Sequence, residues 1–483
     1  MTNKHNLLQR LQQLPFFDTF RNISTYFSAQ IAIQALGIIS LPVYTYFMDE
    51  KDYGIANVYL SFVLVLTPLL GANLFGAVSR YYYEERGDFR EFMGTTVIGT
   101  LVIYMVTCIA VYWFKDPIAA YVNLPARVIP WLLGFCLMSA IFSVFQQILV
   151  PQRRSKLFAL TQAGMHYFKF ALAFLGLYLI TEEIYMGKII GEFVAMIFVS
   201  LFLIYKVYPF VKLTFNFDHL KYILNYSLPL IPFLLSGFIL HSFDQWFINA
   251  RLGNAEAGLY SFAYKIGFLL PGFTSALLAG SNPDYFSLMN RDNISAVNHQ
   301  VISLVKLLII ASGFLMFFGV DLGTLLSAKE VFVEALPLVP IIVGGYFFFG
   351  ITQLFFRGIY FLKRNFFLTA IVLLAGAMNI ILNYIYIPQF GYEAAAYTTA
   401  VSYFFMMVLA WIVTSMVLKL PPFPMGRISV LVFWLIVALA INFLFIPQQS
   451  LNLGILLIKI VLFVFLCLGV YFQNFKGLIG SNR

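Results

Sequence analysis

Six ionisable residues stand deep inside long apolar stretches of the sequence, where a charged side chain is unfavourable and calls for an explanation. These residues are His166, Lys169, Glu192, His241, Asp244 and Lys265. Lysine and histidine in such a setting could bind an anion, whereas a carboxylate could pair with a lysine or exchange a proton or a cation. These residue types therefore indicate that the protein binds an anion, or that it moves a proton or a cation.

Two pairs among these residues have the spacing of one helical turn. His166 and Lys169 are three residues apart, and so are His241 and Asp244. Each pair therefore occupies one face of a helix. Lys265 lies on the next apolar stretch, which runs back alongside that of Asp244, so an Asp244–Lys265 pair is geometrically feasible. This pair could open and close during function, Asp244 could be a proton-coupling carboxylate, or the pair could be a static link between two helices.

Glu192 has lysines within reach on its own helix and on the preceding one. It follows Lys188 by four residues, and Gly187 and Gly191 stand beside it. Glycines at this spacing permit close contact between helices. Pairing of Glu192 with Lys188 or Lys169 is the preferred interpretation, and a coupling role is the alternative. Elsewhere, snorkelling to the membrane surface explains lysines near the ends of apolar stretches, Lys306 and Lys459.

The elements that carry these residues are fourteen apolar stretches of roughly 20 residues, which at ~1.5 Å rise per residue cross a ~30 Å hydrocarbon core. Hydrophobic residues make up 61% of the chain and charged residues 11%, against about 25% charged in soluble domains. Lipid cannot satisfy open backbone groups, so the chain is predicted to be an all-α polytopic membrane protein. The predicted spans are 22–47, 54–79, 93–114, 128–150, 157–180, 184–206, 223–249, 257–281, 300–320, 334–356, 366–387, 393–418, 428–446 and 453–473.

The distribution of basic residues predicts the orientation. Of the 30 Lys and Arg residues, 20 fall in the tails and alternate loops that are cytoplasmic if the N-terminus is inside. Positive residues are retained on the cytoplasmic side, so both termini are predicted to be cytoplasmic. The net charge of +9 therefore reflects the orientation of the chain in the membrane, and a nucleic-acid partner is not expected.

The second half of the chain repeats landmarks of the first. Offsets of 203 or 204 residues relate Gly54 to Gly258 and Pro68 to Pro271. The repeat predicts two pseudo-symmetric six-helix halves of the same orientation plus two C-terminal helices, with chance similarity as the alternative. The predicted parts are a cytoplasmic N-terminal segment 1–21, a first half 22–206, a cytoplasmic linker 207–222, a second half 223–418, two additional helices 428–473, and a cytoplasmic tail 474–483.

The N-terminal segment and the cysteines add little chemistry. Residues 5–17, HNLLQRLQQLPFF, lack the apolar core of a cleavable signal peptide, so an interfacial helix or a disordered lead-in is expected. The three cysteines fall inside predicted spans without CxxC spacing, and neither a disulfide nor a metal site is predicted.

The motifs of several functional classes are absent from the sequence. There is no Walker A motif, no TVGYG-like filter and no long loop that could house a catalytic domain. Catalytic residues and a cofactor are therefore not expected, while coupling to H⁺ or Na⁺ stays open. A repeated bundle with short loops is typical of alternating access, in which two halves rock about a central cavity.

Four segments carry a family resemblance. They are NARLGNAEAGLYSFAYKIGFLLPG (249–272), MDEKDYGIANVYLSF (48–62), NLFGAVSRYYYEE (73–85) and IPQFGYEAAAYTTAVSYF (387–404). The first contains Gly258, Tyr260 and Tyr264 and follows Asp244 by five residues, and the third contains Arg80. Over most of residues 15–420 the chain resembles the bacterial oligosaccharide flippases of the multidrug/oligosaccharidyl-lipid/polysaccharide exporter superfamily.

The resemblance implies movement of undecaprenyl-diphosphate-linked oligosaccharides from the cytoplasmic to the outer leaflet of the bacterial inner membrane. The product would feed O-antigen, capsule or exopolysaccharide synthesis, with a polysaccharide polymerase and a chain-length regulator as partners. The protein would surround a hydrated cavity, while the lipid tail stays among the membrane lipids. No chemical step is required of it.

Under this interpretation the deep residues divide into two groups. Asp244 and Glu192 would form cavity ion pairs or couple an ion. The substrate would be bound by Lys169, Lys265, His166, His241, Arg80 and Arg357. Arginine forks suit a diphosphate at the inward mouth, although anchoring at the membrane surface explains Arg80 and Arg357 equally well. Amide side chains are predicted to form interhelical hydrogen bonds or to meet sugar hydroxyls, namely Gln30, Gln34, Gln146, Gln147, Asn379 and Asn383.

Two other functions are compatible with the sequence. A cation-coupled multidrug exporter would share the superfamily fold but should favour acidic groups in the cavity. A membrane enzyme such as a polysaccharide polymerase or ligase should carry a long catalytic loop outside the bilayer, and the sequence contains none. The deep charges are close to balanced, so electrostatics separates the flippase from the exporter only weakly.

Overall fold

Helices form all the regular structure in the residues that the computed structural model describes, which are 15–84, 87–149, 151–152, 154–421, 423–445 and 453–472. The α-helices are α1 (Pro15–Phe47), α2 (Glu50–Leu70), α3 (Val78–Glu84), α4 (Phe89–Trp113), α5 (Lys115–Val122), α6 (Val128–Gln147), α7 (Ser155–Leu179), α8 (Ile184–Val207), α9 (Phe217–Ser227), α10 (Ile231–Arg251), α11 (Asn254–Gly267), α12 (Leu269–Asn290), α13 (Ile294–Leu326), α14 (Val339–Phe361), α15 (Asn365–Phe390), α16 (Glu393–Ile412), α17 (Met425–Phe445) and α18 (Leu453–Phe472). The predicted all-α class is confirmed. The N-terminal segment before residue 15, the loop 447–452 and the tail 474–483 lie outside the described residues.

Each of the fourteen predicted spans coincides with a described helix or with two consecutive helices. Among the described residues, ten helical segments are long and apolar enough to cross a bilayer, and two shorter apolar helices cover Ile31–Phe47 and Met425–Val437. The two other predicted spans correspond to α7 and α10, which carry Lys169 and Asp244. The chain is a multi-pass membrane protein, as predicted.

Prolines account for most differences between the predicted spans and the helices. The second span was predicted to reach residue 79, but α2 ends at Leu70, two residues after Pro68. Ala72 and Asn73 then adopt left-handed backbone conformations. The carbonyls left open near the break accept hydrogen bonds from α4, because the Tyr104 hydroxyl donates to Thr67 O at 2.5 Å and the Thr107 hydroxyl to Leu70 O at 2.9 Å.

The seventh and eighth spans are each divided in the structure. A short helix, α9, precedes a 3₁₀ turn at Leu228–Leu230 that contains Pro229, and only then does α10 begin. The eighth span divides into α11 and α12 at Phe268, three residues before Pro271. Proline lacks the N–H that an α-helix interior requires, so both breaks follow from the sequence.

The chain forms two compact units. The first unit comprises Met1–Met48 and Ile55–Phe238, and the second comprises Asp49–Gly54 and Ile239–Arg483. Both α2 and α10 contribute residues to each unit. The symmetric halves 22–206 and 223–418 remain a prediction.

In the first unit, glycines bring α7 and α8 into backbone contact. A Cβ atom on Gly176 would lie 2.0 Å from Gly187 O, and one on Gly191 would lie 2.2 Å from Leu172 O. These distances are too short for any side chain, so only glycine permits this approach. The close contact predicted for Gly187 and Gly191 is confirmed, and it determines the spacing between the charged residues of the two helices.

In the second unit, a buried ion pair attaches the C-terminal helix. The Lys459 ammonium on α18 donates to the Asp321 carboxylate on α13 at 2.6 Å, and the two side chains are only 4% and 11% exposed. The explanation of Lys459 by snorkelling is therefore wrong. About two turns away along the same two helices, a Cβ atom on Gly313 would lie 2.4 Å from a Leu466 methyl group. The last helix is thus packed tightly against α13.

The repeat glycines Gly54 and Gly258 meet each other within the second unit. A Cβ atom on Gly54 would lie 1.8 Å from Asn254 O, and one on Gly258 would lie 1.9 Å from Glu50 O. The reciprocal geometry explains why glycine occurs at both positions of the repeat.

We predict that Gly176→Ala lowers the thermal unfolding midpoint by several degrees or prevents folding, because the new methyl group must displace the Gly187 backbone. Gly164→Ala is the matched control on the same helix, since a Cβ atom there meets nothing within 4 Å. The control should unfold at the wild-type temperature or above it, because alanine favours a helix over glycine by about 1 kcal/mol. Thermal unfolding of the purified protein in detergent measures both, and equal behaviour of the two variants would contradict the close α7–α8 contact.

We predict that Lys459→Met destabilises the protein by about 3–5 kcal/mol, because Asp321 is left as a buried charge without its partner. The double variant Lys459→Met with Asp321→Asn should recover most of the loss, since neither charge then remains. Unfolding midpoints of the three proteins test this, and a double variant as unstable as the single one would show that the pair is not the source of the stabilisation.

Candidate functional site

A cavity of about 670 Å³ lies within the first unit. This volume falls in the range of ordinary ligand sites. Much of its lining is aliphatic, and ionisable residues, hydroxyl groups and aromatic rings stand among these side chains. The ionisable lining residues are His166, Lys169 and Glu192. The hydroxyl and aromatic lining residues are Ser40, Thr67, Ser139, Ser143, Tyr44, Phe75, Phe135 and Phe170.

Two of the predicted site residues enter the cavity from α7. His166 and Lys169 are three residues apart on this helix, and both line the cavity. The Lys169 ammonium lies 4.8 Å from the centre of the Phe135 ring, a cation–π contact that leaves the charge without a short hydrogen bond. The pairing on one helical face expected from the sequence thus brings both groups to the same space.

Glu192 links Lys169 to a second lysine. Its carboxylate oxygens lie 3.4 Å from the Lys169 ammonium and 3.5 Å from the Lys188 ammonium. Lys188, one turn earlier on α8, is 2% exposed, and its ammonium lies 5.0 Å from the centre of the Tyr44 ring. The predicted pairing of Glu192 with Lys188 or Lys169 is therefore realised with both lysines at once. The three charges sum to one positive charge beside the cavity.

The hydroxyl groups of the lining can accept hydrogen bonds. The Ser40 hydroxyl donates to Gly37 O at 2.9 Å, and the Ser143 hydroxyl donates to Ser139 O at 2.8 Å. Because each proton is directed to the backbone, the oxygen lone pairs face outward. Acceptors of this kind suit a ligand that is rich in hydroxyl groups.

In the second unit, Asp244 is held by neutral donors. Its carboxylate accepts hydrogen bonds from the Tyr260 hydroxyl at 3.0 Å, the Asn383 amide at 2.6 Å and the Thr399 hydroxyl at 2.5 Å. Asn383 also donates to Asn379 on the same helix at 3.1 Å, and Asn379 donates to the Thr399 hydroxyl on α16 at 3.2 Å. The predicted interhelical role of the two asparagines is confirmed, but the sequence did not identify Thr399. Nothing in the sequence distinguishes Thr399, because threonine is common in apolar helices.

Lys265 has different surroundings from Asp244. Its ammonium lies 5.1 Å from the centre of the Tyr53 ring, and its side chain is half-buried. In the described contacts, the two members of the expected Asp244–Lys265 pair therefore have different partners. Asp244 accepts hydrogen bonds from neutral donors, whereas Lys265 lies over the Tyr53 ring. The backbone of His241 belongs to α10, but its side chain lies outside the described residues.

Arg80 and Arg357 were given the same predicted role, but their environments in the structure are opposite. Arg80 is more than half exposed and donates to Glu84 at 2.6 Å. Arg357 is 2% exposed; its Nη2 donates to Ser281 O at 3.0 Å and to the Gln300 side chain at 3.1 Å. Arg80 is accessible to a head group, whereas Arg357 fastens α14 to α12 and α13.

Two interhelical amide contacts were also anticipated correctly. Gln146 donates to the Gln162 side chain at 2.7 Å, and the Ser79 hydroxyl donates to Gln147. Within the described part of the chain, no cluster of His, Cys, Asp and Glu is arranged to hold a metal ion.

Comparisons with known proteins bear on both the family and the fold. Residues 19–283, more than half of the chain, match the family model described as "Polysaccharide biosynthesis protein". An uncharacterized membrane protein of Haemophilus influenzae is 23% identical over 301 residues, which cover 60% of this chain and 70% of that protein.

Solved structures share the fold at low sequence identity. The lipid II flippase MurJ in an inward closed conformation has a TM-score of 0.73 at 16% identity, covering 94% of this chain and 99% of MurJ. An inward-facing multidrug resistance MATE family transporter of the MOP superfamily has a TM-score of 0.64 at 12% identity, covering 81% and 98%. The resemblance expected from the sequence is borne out at the level of the family match and of the shared fold.

Proposed function

Because the chain belongs to the polysaccharide biosynthesis protein family, we propose that it is a flippase for undecaprenyl-diphosphate-linked oligosaccharides. It moves these lipids by alternating access from the cytoplasmic to the outer leaflet of the bacterial inner membrane. The observation that carries the proposal is the cavity of the first unit, where His166 and Lys169 face about 670 Å³ of space.

The chemistry of the lining matches the polar part of this substrate. A diphosphate needs cations, which Lys169 supplies, and Lys188 adds a second positive charge behind Glu192. Sugar hydroxyls need acceptors and apolar ring faces, which the serines and the aromatic residues of the lining supply. The lipid tail can stay in the hydrocarbon, so no chemical step is asked of the protein.

Lys265 in the second unit and Arg80 in the first are two further proposed contacts for the substrate, and neither lines this cavity. Arg80 is exposed and held by Glu84, so it can receive a head group arriving at the cytoplasmic side. Arg357 supports the second unit from its buried position, and we assign it no direct contact with substrate. His241 stays a candidate on the strength of its place in α10.

The alternative is a cation-coupled multidrug exporter, since a MATE transporter shares the fold. A site for cationic drugs should present more acidic than basic groups. The charges beside this cavity are two lysines and one glutamate. This balance favours an anionic ligand and therefore the flippase.

Asp244 is the proposed site of ion coupling. Its carboxylate is 3% exposed and held by three neutral donors. Binding of Na⁺ there would require Thr399 and Tyr260 to turn their hydroxyl protons away, and protonation would weaken the bonds that they donate. Either event links occupancy to the packing of three helices. Hard cations such as Na⁺ prefer oxygen ligands, and carboxylate, hydroxyl and amide oxygens are all at hand.

The orientation of the chain, the fate of its product and its partner proteins complete the proposal. Both termini are cytoplasmic, as the basic residues predict, and the product feeds O-antigen, capsule or exopolysaccharide synthesis. A polysaccharide polymerase and a chain-length regulator act on it after transfer.

We predict that Lys169→Ala and Lys265→Ala each reduce polymer export at least tenfold while the protein remains in the membrane. Lys156→Ala is the matched control, because Lys156 is exposed at the start of the helix that carries Lys169. Surface polymer in a deletion strain complemented with each variant is the measurement. Full complementation by both variants would remove these lysines from the mechanism.

We predict that Asp244→Asn abolishes the response of translocation to an imposed Na⁺ or H⁺ gradient while substrate binding persists. Translocation of a fluorescent lipid-linked saccharide by the protein in liposomes is measured with and without each gradient. Asp284→Asn, at an exposed position of the same unit, should respond as the wild type does. A wild-type response of Asp244→Asn would exclude this carboxylate from coupling.

A further inference from the structure

We propose that Glu192 is an internal competitor of the transported anion, which holds Lys169 before substrate binds and yields it to a phosphate group afterwards. This inference rests on the proposed function and extends it to the control of affinity and release. It assigns different roles to the two lysines that contact Glu192.

The Lys169–Glu192 contact has the geometry of a weakly held pair. The ammonium and the carboxylate oxygen are 3.4 Å apart, whereas charge-assisted hydrogen bonds are usually about 2.7–2.9 Å long. Lys169 is the more exposed member, with 16% of its side chain accessible against 7% for Glu192. Its ammonium therefore faces the cavity and can turn towards a ligand without unfolding any element.

Lys188 differs from Lys169 in its burial, although its contact with Glu192 is no shorter, at 3.5 Å. It lies on the same helix as Glu192, its side chain is 2% exposed, and the cavity lining does not include it. A buried ammonium without a counter-ion is strongly unfavourable, so Lys188 stays with Glu192 when Lys169 leaves. Glu192 consequently remains ionised and in place, and one lysine is exchangeable while the other is permanent.

The backbone holds this arrangement at a constant distance. Gly176, Gly187 and Gly191 bring α7 and α8 together so closely that no Cβ atom fits between them. Lys169 stands on one helix and Glu192 on the other, so the two groups are presented to each other whether or not substrate is bound. Any anion in the cavity must compete with a fixed carboxylate for the same ammonium.

Competition of this kind serves transport. Glu192 itself lines the cavity, so its negative charge repels the phosphate groups that Lys169 attracts. A permeation site must bind its cargo strongly enough to admit it and weakly enough to release it. Glu192 provides the release by reclaiming Lys169 as the phosphate departs.

The test compares the affinity of purified full-length protein for undecaprenyl diphosphate in detergent. Glu192→Gln should bind this probe about tenfold more tightly, equivalent to about 1.4 kcal/mol, and should export polymer more slowly. Glu182→Gln, an exposed glutamate just before the same helix, is the matched control and should keep the wild-type affinity.

Two double variants separate competition from a structural role. Glu192→Gln with Lys188→Met removes the buried ammonium together with the carboxylate, and it should still bind the probe more tightly than the wild type does, even if the single variant folds poorly. Glu192→Gln with Lys169→Gln should lose the gain, because the released lysine is missing.

The outcomes distinguish the inference from the proposed function. If Lys169→Gln binds more weakly but removal of Glu192 leaves affinity unchanged or lower, the competitor role is overturned and the binding site stands. If the probe binds wild type and Lys169→Gln equally, the site assignment fails and the inference fails with it.

Discussion

An ion in the hydrocarbon region must be neutralised or solvated by the protein, and the structure meets this constraint in two ways. In the first unit, Lys169, Lys188 and Glu192 neutralise one another incompletely and leave one positive charge at a cavity. In the second unit, Asp244 is solvated by hydroxyl and amide donors. The first arrangement suits an anionic cargo, and the second suits a small cation that comes and goes.

Backbone geometry determines how well these charges are placed. The glycine contact between α7 and α8 holds the charged side chains within salt-bridge distance across two helices. The same device recurs where Gly54 meets Gly258. Close packing at small residues thus holds helices together in this membrane protein, whereas hydrophobic burial does so in a soluble protein. Burial contributes less in a membrane because lipid tails are as apolar as the side chains that they contact.

The sequence was sufficient for the membrane class, the spans and the residues of the cavity charge cluster. Hydrophobic length and helical spacing are local properties, so His166 and Lys169 could be placed on one face and Glu192 near a lysine. Contacts between residues that are far apart in the sequence could not be predicted from these local patterns. Asp321 and Lys459 are 138 positions apart, and Arg80 and Arg357 both stand at the cytoplasmic end of a predicted span although only Arg357 is buried. The break of α2 after Pro68 was missed because a proline near a helix end can either kink or terminate it.

The proposed mechanism depends on the cations of the first unit, which receive the phosphate groups of a lipid-linked saccharide. The decisive measurement is a cryo-electron microscopy structure of the protein with undecaprenyl diphosphate bound. Phosphate density is expected in the cavity within hydrogen-bond distance of the Lys169 ammonium, with Glu192 still beside Lys188. A well-resolved head group bound elsewhere, with Lys169 still held by Glu192, would contradict it.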